Sequence, residues 1–256
     1  MTVAPQDLTE DRCLGGRLRL WQPRDGYRAG VDPVLLAAAV PAQAGQTVLD
    51  LGCGVGAVAL CLGTRVPGLI LSGVDLLTEN VALATRNGTA NGIAFDCVQG
   101  DVAALPPGLR QRSFDHVVAN PPYFRRAAGP VSATAHRDNA MAGALPLGAW
   151  VDSGVKRLLP KGRLTMIVAA ARLPEVITAI GDRLGALRVL PITGRAGRAA
   201  GRVIVTGSKD SRAPFVLLAP LVLHSGPAHR SDAEDYTDQA VAILRDSAPL
   251  LLQRPS

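Results

Sequence analysis

The chain has 256 residues, enough for one sizeable core, with 48% hydrophobic and 19% charged residues and a net charge of +6. No run reaches the roughly 18 apolar residues of a membrane helix, since the stretch 215–223 is short and carries Pro220, and the N-terminus lacks a basic-then-apolar signal; cytoplasm is the expected compartment. The excess positive charge sits in two blocks, Arg110, Arg112, Arg125, Arg126 and Arg137 against Asp115, and Arg188, Arg195, Arg198, Arg202, Lys209 and Arg212 against Asp210, which fits a polyanionic partner such as RNA or Arg used as a general surface cation.

After an irregular start, Asp32 at an N-cap and Pro33 in the first turn predict a helix over 34–40. Apolar, strand-like runs then alternate with helical stretches. Strands are expected over 47–51, 69–75, 94–99 and 114–119, with helices over 56–65 and 78–91 between them. A helix over 147–159 leads to a strand over 163–170, and a helix over 174–184 to a strand over 186–192. Next come a strand over 202–206, an apolar run over 215–224 and a last helix over 232–245; the Gly/Ala/Arg segment 194–202 reads as a loop. This alternation predicts an α/β fold: a mostly parallel sheet with an antiparallel edge and helices on both faces. The expected organisation is an N-terminal arm and lead-in helix over 1–45, the main domain over 46–210, and a C-terminal strand and helix extension over 211–256 packed on that domain. Cys13, Cys53, Cys61 and Cys97 form no C-x-x-C pair and have no His at ligand spacing, so neither a metal site nor a disulfide framework is expected.

The first strand ends in Asp50-Leu51-Gly52-Cys53-Gly54-Val55-Gly56 and opens a helix. Glycines there let backbone N–H groups approach a ligand beside a helix N-terminus. Residues 52–57 also satisfy the dinucleotide pattern G-x-G-x-x-A, and Asp75, ending the second strand, suits a ribose diol in either reading. Three features separate the readings. Asp50 precedes the glycines, where a negative charge opposes a pyrophosphate and suits an ammonium group. Gly100-Asp101 after the third strand offers an acceptor for an adenine amine. Asn120-Pro121-Pro122-Tyr123 follows the next strand, on the same edge of the sheet. A ligand with an amine, a diol, an adenine and no phosphate matches S-adenosylmethionine.

Two prolines fix their own φ angles and bias Asn120 towards an extended backbone. The amide oxygen of Asn120 and the carbonyl of Pro121 accept hydrogen bonds, and the Tyr123 ring offers a stacking face, which together suit a planar molecule carrying an –NH2 group. The chain thereby resembles the class I S-adenosylmethionine-dependent methyltransferases of the amino-methylating N-P-P-Y type, over about residues 28–209. Within that class it is similar to the bacterial tRNA(Val) adenine-N6 methyltransferases, with further support from residues 26–32, Leu223-His224 and Tyr236-Thr237. The resemblance implies a Rossmann-like, mostly parallel seven-stranded sheet with an antiparallel edge strand. It implies that Asp50, Gly52, Gly54 and Gly56 bind the methionine half of the cofactor, Asp75 the ribose, and Asp101 with Val102 the adenine, with Asn120 facing both cofactor and acceptor. Residues 28–32 would close over the methionine end or simply lead into the helix.

Asn120 and Pro121 would hold the acceptor amine and Tyr123 would stack on an extruded base, with Phe124 in support. Arg125 and Arg126, and Arg195, Arg198 and Arg202 on the glycine-rich loop, are candidates for phosphate contacts to an RNA substrate, with a tRNA favoured. His136 reads as a surface-loop residue. N-P-P-Y also serves enzymes that methylate a glutamine amide in translation factors, and cytosine N4 or guanine N2 in rRNA or DNA remains an alternative acceptor. No membrane or metal partner is expected.

Overall fold

Two strands open the chain where the sequence pattern predicts none. In the computed structural model, which describes residues 7–25, 28–122, 145–226 and 235–252, β1 (Leu8–Cys13) and β2 (Leu18–Pro23) pair antiparallel. Leu18, Leu20 and Gln22 of β2 alternate inward, whereas β1 buries little beyond Leu8, so its period-2 signal is faint.

Helix α1 (Val31–Ala39) begins three residues before the predicted start, with Gly30 at its N-cap. Asp32 therefore lies inside the first turn, where its carboxylate faces the positive end of the helix dipole and pairs with Arg202 at 2.6 Å. There follow β3 (Thr47–Leu51), α2 (Ala57–Arg65), β4 (Ile70–Asp75), α3 (Thr78–Ala90), β5 (Phe95–Gln99), α4 (Pro107–Arg110) and β6 (Phe114–Ala119). The chain continues through α5 (Leu147–Lys156), β7 (Leu158–Ala169), α6 (Leu173–Ile180), β8 (Leu184–Thr193) and β9 (Arg202–Lys209). The apolar run 215–224 resolves into two short strands, β10 (Val216–Leu217) and β11 (Leu221–Val222), with Pro220 between them, and α7 (Asp238–Asp246) is the last described element.

The main sheet runs in the order β10-β8-β9-β7-β6-β3-β4-β5, with β11 also on β8. Strands β3 to β8 share one direction, and β9 runs against both of its neighbours, β7 and β8. The antiparallel strand thus sits inside the edge rather than forming it: the loop after β8 is too short for a crossover helix, so β9 returns alongside and fills the gap beside β7.

Alternation along the strands sorts the two faces. Val48, Leu71, Val118, Ile167, Leu190 and Ile204 join the cluster under α1 and α2. Their neighbours Leu49, Val74, Val117, Met166, Val189 and Val205 join the cluster under α5 and α6. Both faces are buried, which explains the near-continuous apolar runs. No described helix is long and apolar enough to cross a membrane.

Strand order reverses between β3 and β6, because the chain steps outward to β4 and β5 and then returns to β6 on the other side of β3. A crevice opens beyond the C-terminal ends of strands at such a reversal.

Candidate active site

Leu51 lies opposite Ala119 across β3 and β6, so Gly52 and Asn120 leave the sheet side by side at the reversal point. Gly52, Gly54 and Gly56 all take positive φ (62°, 55° and 87°), a region that side chains resist. The three are not equivalent. A Cβ on Gly52 would stand 2.5 Å from Cη2 of Trp150, and one on Gly56 would stand 3.0 Å from Phe95. A Cβ on Gly54 would meet nothing within 4 Å, so this residue presents the open face of the turn. Gly56 also caps α2, whose N-terminus points at the turn.

Asp75, only 7% exposed at the end of β4, is held on three sides. Its Oδ2 accepts from the Gly54 N–H at 2.8 Å, and its Oδ1 accepts from the Leu77 N–H and from Asn80 Nδ2, each at 3.0 Å. A carboxylate offers about four acceptor positions, so room for about one further donor remains, as a ribose hydroxyl requires. The open glycine turn and this acceptor fit the adenosyl ligand expected from the sequence.

Asp50 shares the parity of Val48, so it faces α2, and it is 1% exposed. Its Oδ2 accepts from the Ala59 N–H at 3.2 Å, and burial pushes its pKa up to about 8 against that hydrogen bond, with Asp75 adding to the rise. Asp50 lies beneath the turn as a buried carboxyl beside the start of α2.

Asp101 follows β5 at the same edge, exposed, with its Oδ1 accepting from the Ala103 N–H at 2.7 Å. Val102 beside it is buried in the second core cluster. Pro121 is buried, and the Pro122 carbonyl accepts from Arg172, which is itself paired with Glu175. Tyr123, Phe124, Arg125, Arg126 and His136 lie outside the described residues.

The basic loop between β8 and β9 lies at the ligand edge, but two of its three expected phosphate contacts are engaged within the protein. Arg195 pairs with Asp235, and Arg202 with the buried Asp32. Arg198 is exposed at the tip. Next to this loop the His224 ring stacks on Tyr236, with centroids 4.8 Å apart, and Thr237 caps α7 through the Ala240 N–H. The flanking residues 223–224 and 236–237 thus come together. Arg28 pairs with Asp11 of β1 at 2.6 Å, and the Ala29 N–H donates to Gln22, so the segment leading into α1 is fastened to the hairpin.

Four residues that sequence reasoning did not single out shape the site: Trp150 behind Gly52, Asn80 on Asp75, Arg172 on Pro122, and Asn87. Asn87 is fully buried; its Oδ1 accepts from the Trp21 N–H, and its Nδ2 donates to the carbonyls of Trp21 and Val55. It ties the glycine turn to the N-terminal hairpin. Its only sequence signal is an amide at an inward position of α3.

Comparison with known proteins follows the same outline. Residues 30–194 match the family described as methyltransferase small domain. The tRNA1(Val) (adenine(37)-N6)-methyltransferase of Aeromonas hydrophila is 31% identical over 189 residues, which cover 71% of this chain and 77% of that protein. Ribosomal RNA small subunit methyltransferase C of Chromohalobacter salexigens is 36% identical over 150 residues, covering 59% of this chain but only 38% of that longer protein. Among solved structures, a predicted O-methyltransferase of Agrobacterium tumefaciens superposes with a TM-score of 0.69 at 23% identity, covering 88% of this chain and all of that one.

Proposed function

The chain belongs to the methyltransferase small domain family, and from that premise we propose that it moves a methyl group from S-adenosylmethionine to the exocyclic amine of a nucleobase, adenine N6 of a tRNA being the favoured acceptor. The observation that carries this reading is the pairing of Leu51 with Ala119, which sets the rigid Asn120-Pro121-Pro122 exit beside the open glycine turn. The likeness to the Aeromonas hydrophila tRNA enzyme over 77% of its length supports the choice of tRNA and adenine.

When bound, S-adenosylmethionine supplies a methyl group already activated by a sulfonium centre. The chain's work is therefore to position and to stabilise. The face of the turn at Gly54 takes the methionine half, and Asp75 accepts from the ribose. Asp101 and the backbone at Val102 border the adenine. An aromatic amine is a poor nucleophile because its lone pair is delocalised into the ring. The Asn120 amide oxygen and the Pro121 carbonyl accept its two N–H bonds, draw the nitrogen towards tetrahedral geometry and offset the positive charge growing on it. Tyr123 supplies the stacking face for the base. The product ammonium is acidic enough to lose its proton to water, so no strong base is needed.

Methyl incorporation into tRNA, rRNA, DNA and protein, assayed side by side, tests the acceptor. Label in tRNA is expected; label confined to rRNA would favour the guanine-type alternative, and label in protein the glutamine alternative. Asn120→Ala should lower turnover by about 10²-fold or more while cofactor affinity stays within a few-fold. Near-normal turnover in that variant would remove Asn120 from the mechanism.

A further inference from the structure

A cavity of about 110 Å³ opens on the face of the sheet covered by α1 and α2, towards the N-terminal ends of the parallel strands. Arg65 from the end of α2, Arg163 from β7 and Arg188 from β8 converge on it, together with Thr206 of β9. The C-terminal end of α1 and residues 249–252 close its sides, and no carboxylate lines it among the described residues.

Three guanidinium groups around one cavity without an acid is an unbalanced arrangement. Arg65 donates to the Ala37 and Val40 carbonyls at the end of α1, yet its Nε is buried and has no hydrogen-bond partner. Arg188 reaches the Leu252 carbonyl. The Arg163 guanidinium makes no hydrogen bond or ion pair to any described residue. Burial lowers the pKa of both Arg65 and Arg163, and Arg188 lowers that of Arg163 further, so the cations crowd one another. His116, opposite Arg163 on β6, supplies no counter-charge, since an imidazole is either neutral or cationic and burial holds this one neutral. Such a cluster destabilises the protein unless an anion enters it.

We propose that Arg65, Arg163 and Arg188 form a binding site for a phosphate-class oxyanion, separate from the candidate active site: Arg163 pairs with His116, four residues and about 13 Å before Asn120 along β6. Guanidinium forks match phosphate oxygens with paired hydrogen bonds, and the cavity holds several water-sized volumes, enough for one tetrahedral group. The site accounts for part of the second basic block, which the ligand edge does not absorb. It does not rest on the methyl-transfer reading.

The test uses the full chain and inorganic phosphate. Thermal unfolding in phosphate and in chloride, at matched pH and ionic strength, should show a melting temperature several degrees higher in phosphate. Arg163→Gln removes a crowded cation, so its melting temperature in chloride should equal or exceed that of the parent while the rise in phosphate disappears. Arg198→Gln, on the loop at the ligand edge, should keep the full rise. An equal rise in the parent and in Arg163→Gln, or no rise in the parent, overturns the proposal. Salt titration of tRNA binding then separates the two sources of phosphate. A slope of log affinity against log salt smaller by about one in Arg163→Gln assigns the site to a nucleic-acid phosphate, and an unchanged slope assigns it to a free anion.

Discussion

Gly52 is where residue identity is most tightly dictated, because two separate constraints meet there. Its φ of +62° disfavours any side chain, at a cost of about 1 kcal/mol, and its missing Cβ is the space that Trp150 occupies. Overpacking a buried ring adds about 1–3 kcal/mol. Gly52→Ala should therefore destabilise the protein by about 2–4 kcal/mol in denaturant unfolding. Trp150→Leu alone should also destabilise, through the lost burial of the ring. The double variant should fall short of the sum by about 1–3 kcal/mol, the overpacking term, since only the backbone term survives once the ring is gone. Strict additivity would mean that the ring is not what excludes a side chain. The same contact gives Trp150 a function the sequence does not announce. It backs the cofactor turn from the face opposite α2, with its indole N–H buried and unpartnered.

Between elements, the β8–β9 hairpin separates arginines that hold the fold from one that can meet a substrate. Arg202 ties β9 to the first turn of α1 through Asp32, so Arg202→Ala should cost about 1 kcal/mol of stability, a value kept small because the Arg202 side chain is 45% exposed. Arg198→Ala should leave stability unchanged but lower the salt slope of tRNA binding by about one if it contacts a phosphate. If Arg202→Ala reduces that slope while Arg198→Ala does not, the roles are reversed. The hairpin also shows what the sequence could and could not convey. Strands β3, β4 and β6 were legible because both of their faces are buried, which makes their sequences near-continuous apolar runs. The β1–β2 hairpin was not, because Leu8–Cys13 buries little beyond its first residue and the side chains of Asn87 in α3 and Asn91 just after it anchor its partner strand. In the site, the glycine turn and Asp75 were readable as local motifs. Asn80, Asn87, Trp150 and Arg172 reach it from other elements, and spacing cannot reveal them. Asp50 was readable from its place before the glycines, and what the spacing did not show is its burial beside α2.

Across the whole molecule, two buried groups with opposite shifts set the dependence of stability on pH. Burial raises Asp50 to about 8, so folded protein keeps a proton there that unfolded chain releases near its ordinary value of 3.8. Stability then falls as pH rises between about 4 and 8. His116 is lowered from 6.5 to about 4, so unfolded chain binds a proton that folded protein refuses, and stability rises with pH between about 4 and 6.5. The two slopes oppose each other up to about pH 6.5, and only that of Asp50 persists from there to about 8. Asp115, shifted down, acts below this window, and the raised cysteines act above it. Unfolding free energy should thus be nearly level from about pH 4 to 6.5 and then lose about 2 kcal/mol by pH 8. Asp50→Asn, which keeps an acceptor for the Ala59 N–H, should abolish that loss and leave only the rise from His116; a fall that persists would place its cause elsewhere. The same proton links the buried carboxyl to ligand binding. A cofactor ammonium above the turn favours the ionised form, so binding near pH 7 should release a proton, and affinity should climb with pH up to about 8. Calorimetric titrations in buffers of different ionisation enthalpy measure that release directly. Identical heats across buffers would mean that Asp50 stays protonated and serves only as a support for α2.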